Sequence, residues 1–189
     1  HILGLFRQWW IPAGSSPGEG AYVYFDHEAL VGILALEAER TGALVVGEDL
    51  GCVPDYVRPD LSFLRIAGFK IPHWEIDGNQ KVIPGDSYNP CSFATYATHD
   101  FPPLCNDWND WYVNVKLARD AVANEQLSIE ELRPVLLAAR DSGRVMCWLG
   151  DFAGLSMEES MVPWCSTIKN ALIRALLRCR SAELPFGYR

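Results

Sequence analysis

Two apolar runs in this 189-residue chain end in acids. In "LVVGEDLGCVPD", residues 44–55, Glu48 and Asp49 directly follow a β-branched run, and Gly51 then turns the chain. In "NPCSFATYATHD", residues 89–100, a second such run closes on His99 and Asp100. Barrel enzymes keep their catalytic groups at the C-terminal ends of parallel strands. An acid in that place also serves as a helix cap or a solvated loop group, and both readings stand for each pair. Neighbouring parallel strands lie about 4.8 Å apart, so strands two places apart bring their tips within about 10 Å. On that geometry Glu48 and Asp100 can face one substrate atom from two sides. Paired carboxylates around one centre are suited to glycosidic bond chemistry, in which one acid protonates the leaving oxygen and another carboxylate stabilises an oxocarbenium-like transition state. Like charges held close raise one pKa and keep that acid protonated near neutrality. Trp9, Trp10 and Trp74 fall near strand ends or loops, where a ring can stack on the apolar face of a pyranose; core packing is the plain alternative for each.

The elements that must position these groups are legible in outline. "GSSPGEG" at 14–20 is a surface loop rich in Gly, Ser and Pro. Asp26 precedes an amphipathic helix carrying Leu30, Ile33 and Leu34 and ended by Gly42. "ALVVG" at 43–47 is apolar on both faces, the pattern of a buried parallel strand. A short helix is expected within 54–68, broken near Pro59, then a strand over 69–76 and a third strand within 89–100 ending at His99. From about residue 110 to 140 the pattern is helical, with a capped start at Ser128 and Glu131. A long helix with a proline at 163 is expected over 156–180. This alternation predicts an α/β fold with a parallel sheet, either open and doubly wound or part of a barrel. No G-x-G-x-x-G follows any strand, which weakens a dinucleotide site.

Composition narrows the partners. The chain is 49% hydrophobic and 21% charged, with a net charge of −8. That balance argues against nucleic acid and against an anionic membrane, both of which favour a basic face. The basic-apolar helix near Lys169 and Arg174 reads as a covering helix with solvated charges, not a membrane binder. Six cysteines at 52, 91, 105, 147, 165 and 179 show no C-x-x-C spacing. They read as reduced thiols of a cytoplasmic protein, not as zinc ligands or a disulfide framework. No apolar run approaches the length of a membrane span. The chain starts at His1 inside an apolar-aromatic run and stops at "SAELPFGYR", so it is expected to be a piece of a longer protein.

The segments "HILGLFRQWWIP", "GAYVYF", "ILALEAERTGALVVGEDLGCVP", "GFKIPHWE" and "ATYATHDFPPL" occur in that order. Together they resemble the 4-α-glucanotransferases of glycoside hydrolase family 77 (amylomaltase, or disproportionating enzyme), densely over residues 1–105 and thinly beyond. The resemblance implies a (β/α)8 barrel, of which residues 1–189 would form one partial catalytic domain holding strands five to seven and helical insertions. It implies a retaining double displacement that moves α-1,4-glucan segments between malto-oligosaccharides, in the cytoplasm or, in a plant or alga, the plastid. Glu48 matches the general acid/base and Asp100 the transition-state stabiliser. Asp49 and His99 match groups that bind the sugar, and His1 matches the last residue of the family's R-x-D-H motif. His1, Trp9 and Trp10 are placed on the substrate side. No metal or other cofactor is called for. The nucleophilic Asp of R-x-D-H would precede His1, and the stretch on the eighth strand would follow Arg189. Since covalent catalysis needs its nucleophile, the 189-residue piece alone is expected to be inactive. Three other readings stay open: a hydrolase of the same clan, a non-catalytic glucan-binding module, and a metal-dependent barrel enzyme.

Overall fold

The computed structural model describes residues 1–124 and 127–180. The expected domain limit at 189 and the "SAELPFGYR" end therefore lie outside the described residues. The chain divides into two compact units. The first comprises His1–Phe69 with Asn89–Phe93; the second comprises Lys70–Tyr88 and the described residues from Ala94 onward.

The first unit opens with a 3-10 turn, Ile2–Leu5, that leads into an antiparallel hairpin of β1 (Arg7–Trp10) and β2 (Ala21–Tyr24). The alternation expected from the sequence had only parallel strands. The hairpin arises because the 14–20 loop folds back on itself, with Ser16 and Glu19 capping a short turn over Pro17–Glu19. Helix α1 (His27–Thr41) follows as expected. The Asp26 carboxylate accepts the Ala29 N–H at 3.3 Å, and Gly42 ends the helix at φ 68°, a conformation a Cβ would strain. Its buried stripe differs from the expected one: Val31 is buried and Leu34 packs beside it, whereas Ile33 and Leu36 face outward.

Strand β3 (Val46–Gly47) pairs in parallel with β4 (Ala67–Lys70), and β5 (Ser92–Ala94) completes the order β3-β4-β5. The parallel pair and its intervening helix α2 (Val57–Phe63) bear out the α/β reading. Details shift. The strand expected over 43–47 is shorter, and Leu44 and Val46 are exposed where burial on both faces was expected. Pro59 does not break α2; it sits in the first turn, where a missing N–H costs nothing. The strand expected over 69–76 ends at Lys70, because the chain turns at Pro72 and the Trp74 N–H bonds to the Ile71 carbonyl. The core of this unit is Ile2, Leu3, Phe6, Val31, Val57, Leu61 and Ile66.

The second unit is mainly helical. Helices α3 (Leu104–Asn124) and α4 (Ile129–Ala153) pack against each other, with the expected reciprocal cap between Ser128 and Glu131 at the start of α4. The helix expected over 156–180 is two helices, α5 (Met157–Ser160) and α6 (Ser166–Leu177). Pro163 explains the break, since proline disfavours the helical conformation of the residue before it and supplies no N–H. The freed Val162 carbonyl accepts the Trp108 indole N–H at 2.9 Å. Trp108, Val115, Met146, Leu149, Ile168 and Leu172 form the core, and the Tyr96 hydroxyl donates to the Leu172 carbonyl at 2.6 Å. Among the described residues no helix is long and apolar enough to cross a membrane.

Candidate active site

Glu48 stands one residue beyond β3, at the C-terminal end of a parallel strand as expected. Its backbone carbonyl accepts the Ile2 N–H at 3.1 Å, and its carboxylate lies 3.5 Å from His1 Nδ1. The side chain is only 15% exposed, while His1 is open to solvent. Gly47 allows this close approach, because a Cβ there would meet the Ile2 and Ile66 side chains at 3.0–3.2 Å.

Asp49, the next residue, is placed differently. Its carboxylate is 5% exposed. Oδ2 accepts Arg58 Nε–H at 2.9 Å, and Oδ1 accepts the Phe69 backbone N–H at 2.7 Å. Arg58 Nη2 also donates to the Asp49 carbonyl at 3.3 Å. Glycine is required at 68: a Cβ there would come within 2.9–3.0 Å of the Asp49 carboxylate. The two adjacent acids are thus held differently: Glu48 lies beside the exposed His1, and Asp49 has both carboxylate oxygens bonded within the fold.

Trp9 and Trp10 lie in the hairpin itself. Trp9 pairs with Tyr22 across the strands, edge-on at 4.9 Å, and Trp10 lies opposite Ala21. The Trp9 indole donates to the Pro17 carbonyl at 3.0 Å, and Gly20 leaves room for the ring, since a Cβ would strike it. Both rings stay about half exposed, at 46% and 56%. Arg7 sits over the Tyr22 ring at 3.9 Å. The hairpin therefore presents aromatic faces to solvent instead of burying them, the arrangement a sugar-stacking surface needs. Tyr22 and Tyr24, which belong to the same surface, were not singled out from the sequence; the alternation of "AYVY" opposite "RQWW" is the signal that could have found them.

In the second unit His99 and Asp100 sit in a turn, not at a strand end. The expected third strand stops at Ala94, because the Thr95 side chain bonds to the Ala97 carbonyl and draws the chain into a loop. His99 Nε2 and Asp100 Oδ1 are 3.3 Å apart, and both side chains are open to solvent. The Asp100 N–H is held by the Thr98 hydroxyl at 3.3 Å. Trp74 meets Phe101 edge-on at 5.2 Å.

His73 is half-buried against Trp74 and Trp111, and its buried Nδ1 has no hydrogen-bond partner. The structure packs the ring and leaves that nitrogen unsatisfied. Burial pushes its pKa down from 6.5 to about 4. A depressed folded-state pKa gives stability that is complete above the unfolded value and declines as pH falls, because the unfolded chain takes the proton first. The window runs from about 6.5 down to about 4, and the loss is of the order of 3 kcal/mol. His73→Phe keeps the ring contacts without the titration. The difference between native protein and variant in the opening free energy of the second unit, read from its slowest-exchanging amides, should therefore shrink or reverse between pH 7 and pH 4.5; parallel pH profiles would refute this.

The family model described as 4-alpha-glucanotransferase matches residues 1–183. The chain belongs to the 4-alpha-glucanotransferase family, glycoside hydrolase family 77. It is 45% identical over 107 residues to a 4-alpha-glucanotransferase of Mycobacterium tuberculosis, a match covering 54% of this chain and 15% of the relative. To a 4-alpha-glucanotransferase of Haemophilus influenzae it is 39% identical over 109 residues, covering 58% and 16%. The crystal structure of amylomaltase from Corynebacterium glutamicum superposes with a TM-score of 0.64 at 29% identity, over 93% of this chain and 25% of that one. The chain thus spans about a sixth of the length of the curated relatives it matches. The backbone likeness to an amylomaltase supports the α/β assignment for a partial fold.

Proposed function

We propose that this chain carries the acid/base and charge-stabilising half of an α-1,4-glucan transferase site, in a full-length protein whose (β/α)8 barrel includes β3, β4 and β5 as consecutive strands. The family match over residues 1–183 carries the reading, together with Glu48 at the C-terminal end of a parallel strand. Topology supports the strand order, since β3, β4 and β5 neighbour one another in that sequence.

In this reading Glu48 protonates the leaving glycosidic oxygen and later deprotonates the incoming 4-OH. Asp100 stays ionised and stabilises the oxocarbenium-like charge, with His99 bonding to the sugar beside it. Trp9, Trp10 and His1 border the bound glucan. Transfer prevails over hydrolysis when an acceptor hydroxyl is held in place and water is excluded, and an aromatic surface favours both. No step calls for a metal.

Product analysis of the full-length protein on maltotriose tests the reading. Glucose together with longer malto-oligosaccharides is the expected result. Maltose and glucose alone would replace transferase by hydrolase, and no turnover at all would leave a glucan-binding role.

A further inference from the structure

We infer that Asp49 is a positioning residue for Glu48, acting through a clamp with Arg58 and the backbone of β4, and does not bind the sugar. The inference rests on the functional reading above for what Glu48 does, but the clamp itself stands on geometry. Consecutive residues at a strand end project to opposite sides. Glu48 is turned towards His1, whereas Asp49 is turned into the protein. Both Asp49 carboxylate oxygens are engaged, one by Arg58 Nε–H and one by the Phe69 N–H 20 residues away. The missing Cβ of Gly68 is what lets the carboxylate reach that N–H. An ion with this little exposure needs such partners to remain charged.

The consequence falls on Glu48. Its own carbonyl is held by the Ile2 N–H, and the next peptide is held by Arg58 Nη2 on the Asp49 carbonyl. With Gly47 paired to Gly68 before it and two successive carbonyls held after it, the backbone at 48 has one path, and the acid it carries is aimed by that path. A displacement of about 1 Å at a catalytic group can cost about 100-fold in rate.

Asp49→Asn and Arg58→Ala in the full-length protein test this with maltotriose as substrate. Arg58 lies mostly in solvent, so Arg58→Lys, which keeps a cation beside the buried Asp49 carboxylate, tests the clamp even if Asp49→Asn or Arg58→Ala does not fold. Each variant is expected to lower kcat by about 10- to 100-fold with KM within about 2-fold. The double variant should be no worse than the poorer single one, because both break one device. The alkaline limb of the kcat–pH profile, which reports the acid, should move; a purely stabilising contact would leave it in place. Arg58→Lys, which retains a charge near Oδ2, should recover part of the loss. The inference is overturned if KM rises ten-fold or more at unchanged kcat, the signature of a sugar ligand, or if kcat and its pH profile do not move. Failure of the wild-type protein to transfer glucan would instead remove the functional reading. Amide exchange judges the clamp separately: the Phe69 N–H should be protected in the wild type and exchange faster in both variants, and an unprotected Phe69 N–H would refute the clamp.

Discussion

Glu48→Gln in the full-length protein is expected to reduce glucan transfer by about 10²- to 10⁴-fold, the usual contribution of a general acid/base. Glutamine has the same length and keeps the backbone anchors, since the Ile2 N–H bonds to the main-chain carbonyl at 48 and not to the side chain. What it cannot do is deliver a proton to a departing glycosidic oxygen, so the loss should appear in kcat with little change in KM. An α-glycosyl fluoride sharpens the test. Fluoride departs without protonation, so the variant should retain the first half-reaction on that donor while remaining impaired with maltotriose. Equal activity of variant and wild type on maltotriose would remove Glu48 from the chemistry and favour a non-catalytic role for this segment.

Trp108→Ala should destabilise the second unit by about 3–5 kcal/mol, the range for deleting a large buried aromatic. Trp108 is fully buried, packs against Trp111 and Trp164 at 6.5 and 6.1 Å between ring centroids, and donates its indole N–H to Val162. Truncation removes the ring from between α3 and α6 and leaves the Val162 carbonyl without its donor. Trp108→Phe fills most of the space and separates the two effects; its cost should be close to that of one orphaned carbonyl, about 1–3 kcal/mol. Because the chain has two units, each with its own core, a single global unfolding free energy is the wrong measure. The slowest-exchanging amides of α3 and α4 report the local value. A loss below about 1 kcal/mol in Trp108→Ala would show that this core does not depend on the ring.

Local signals read well in the sequence because they act within one turn of chain. Asp26 and Gly42 bracket α1, and Ser128 with Glu131 starts α4, each through a bond spanning three or four residues. Pro163 was visible too, but it was read as tolerated inside a helix. The restriction it places on Val162 was enough to divide that helix. Strand lengths were overestimated at both ends of the site: apolar runs continue past the last paired residue, and pairing depends on the neighbour, which the run does not specify. So β4 stops where Pro72 turns the chain, and β5 stops at Ala94, five residues before His99.

From sequence alone came the family resemblance, the α/β character, the helix caps and the place of Glu48 just beyond a parallel strand, since ordered motifs and short-range bonds are carried by neighbouring residues. How differently Glu48 and Asp49 are held was decided only by tertiary structure. Two adjacent carboxylates are equivalent in a string of letters. They become different when Phe69 and Arg58, brought in by β4 and α2, bond both oxygens of one of them, while the other lies beside His1. Burial and hydrogen bonding depend on what arrives from elsewhere in the chain, and that is set by packing rather than by spacing.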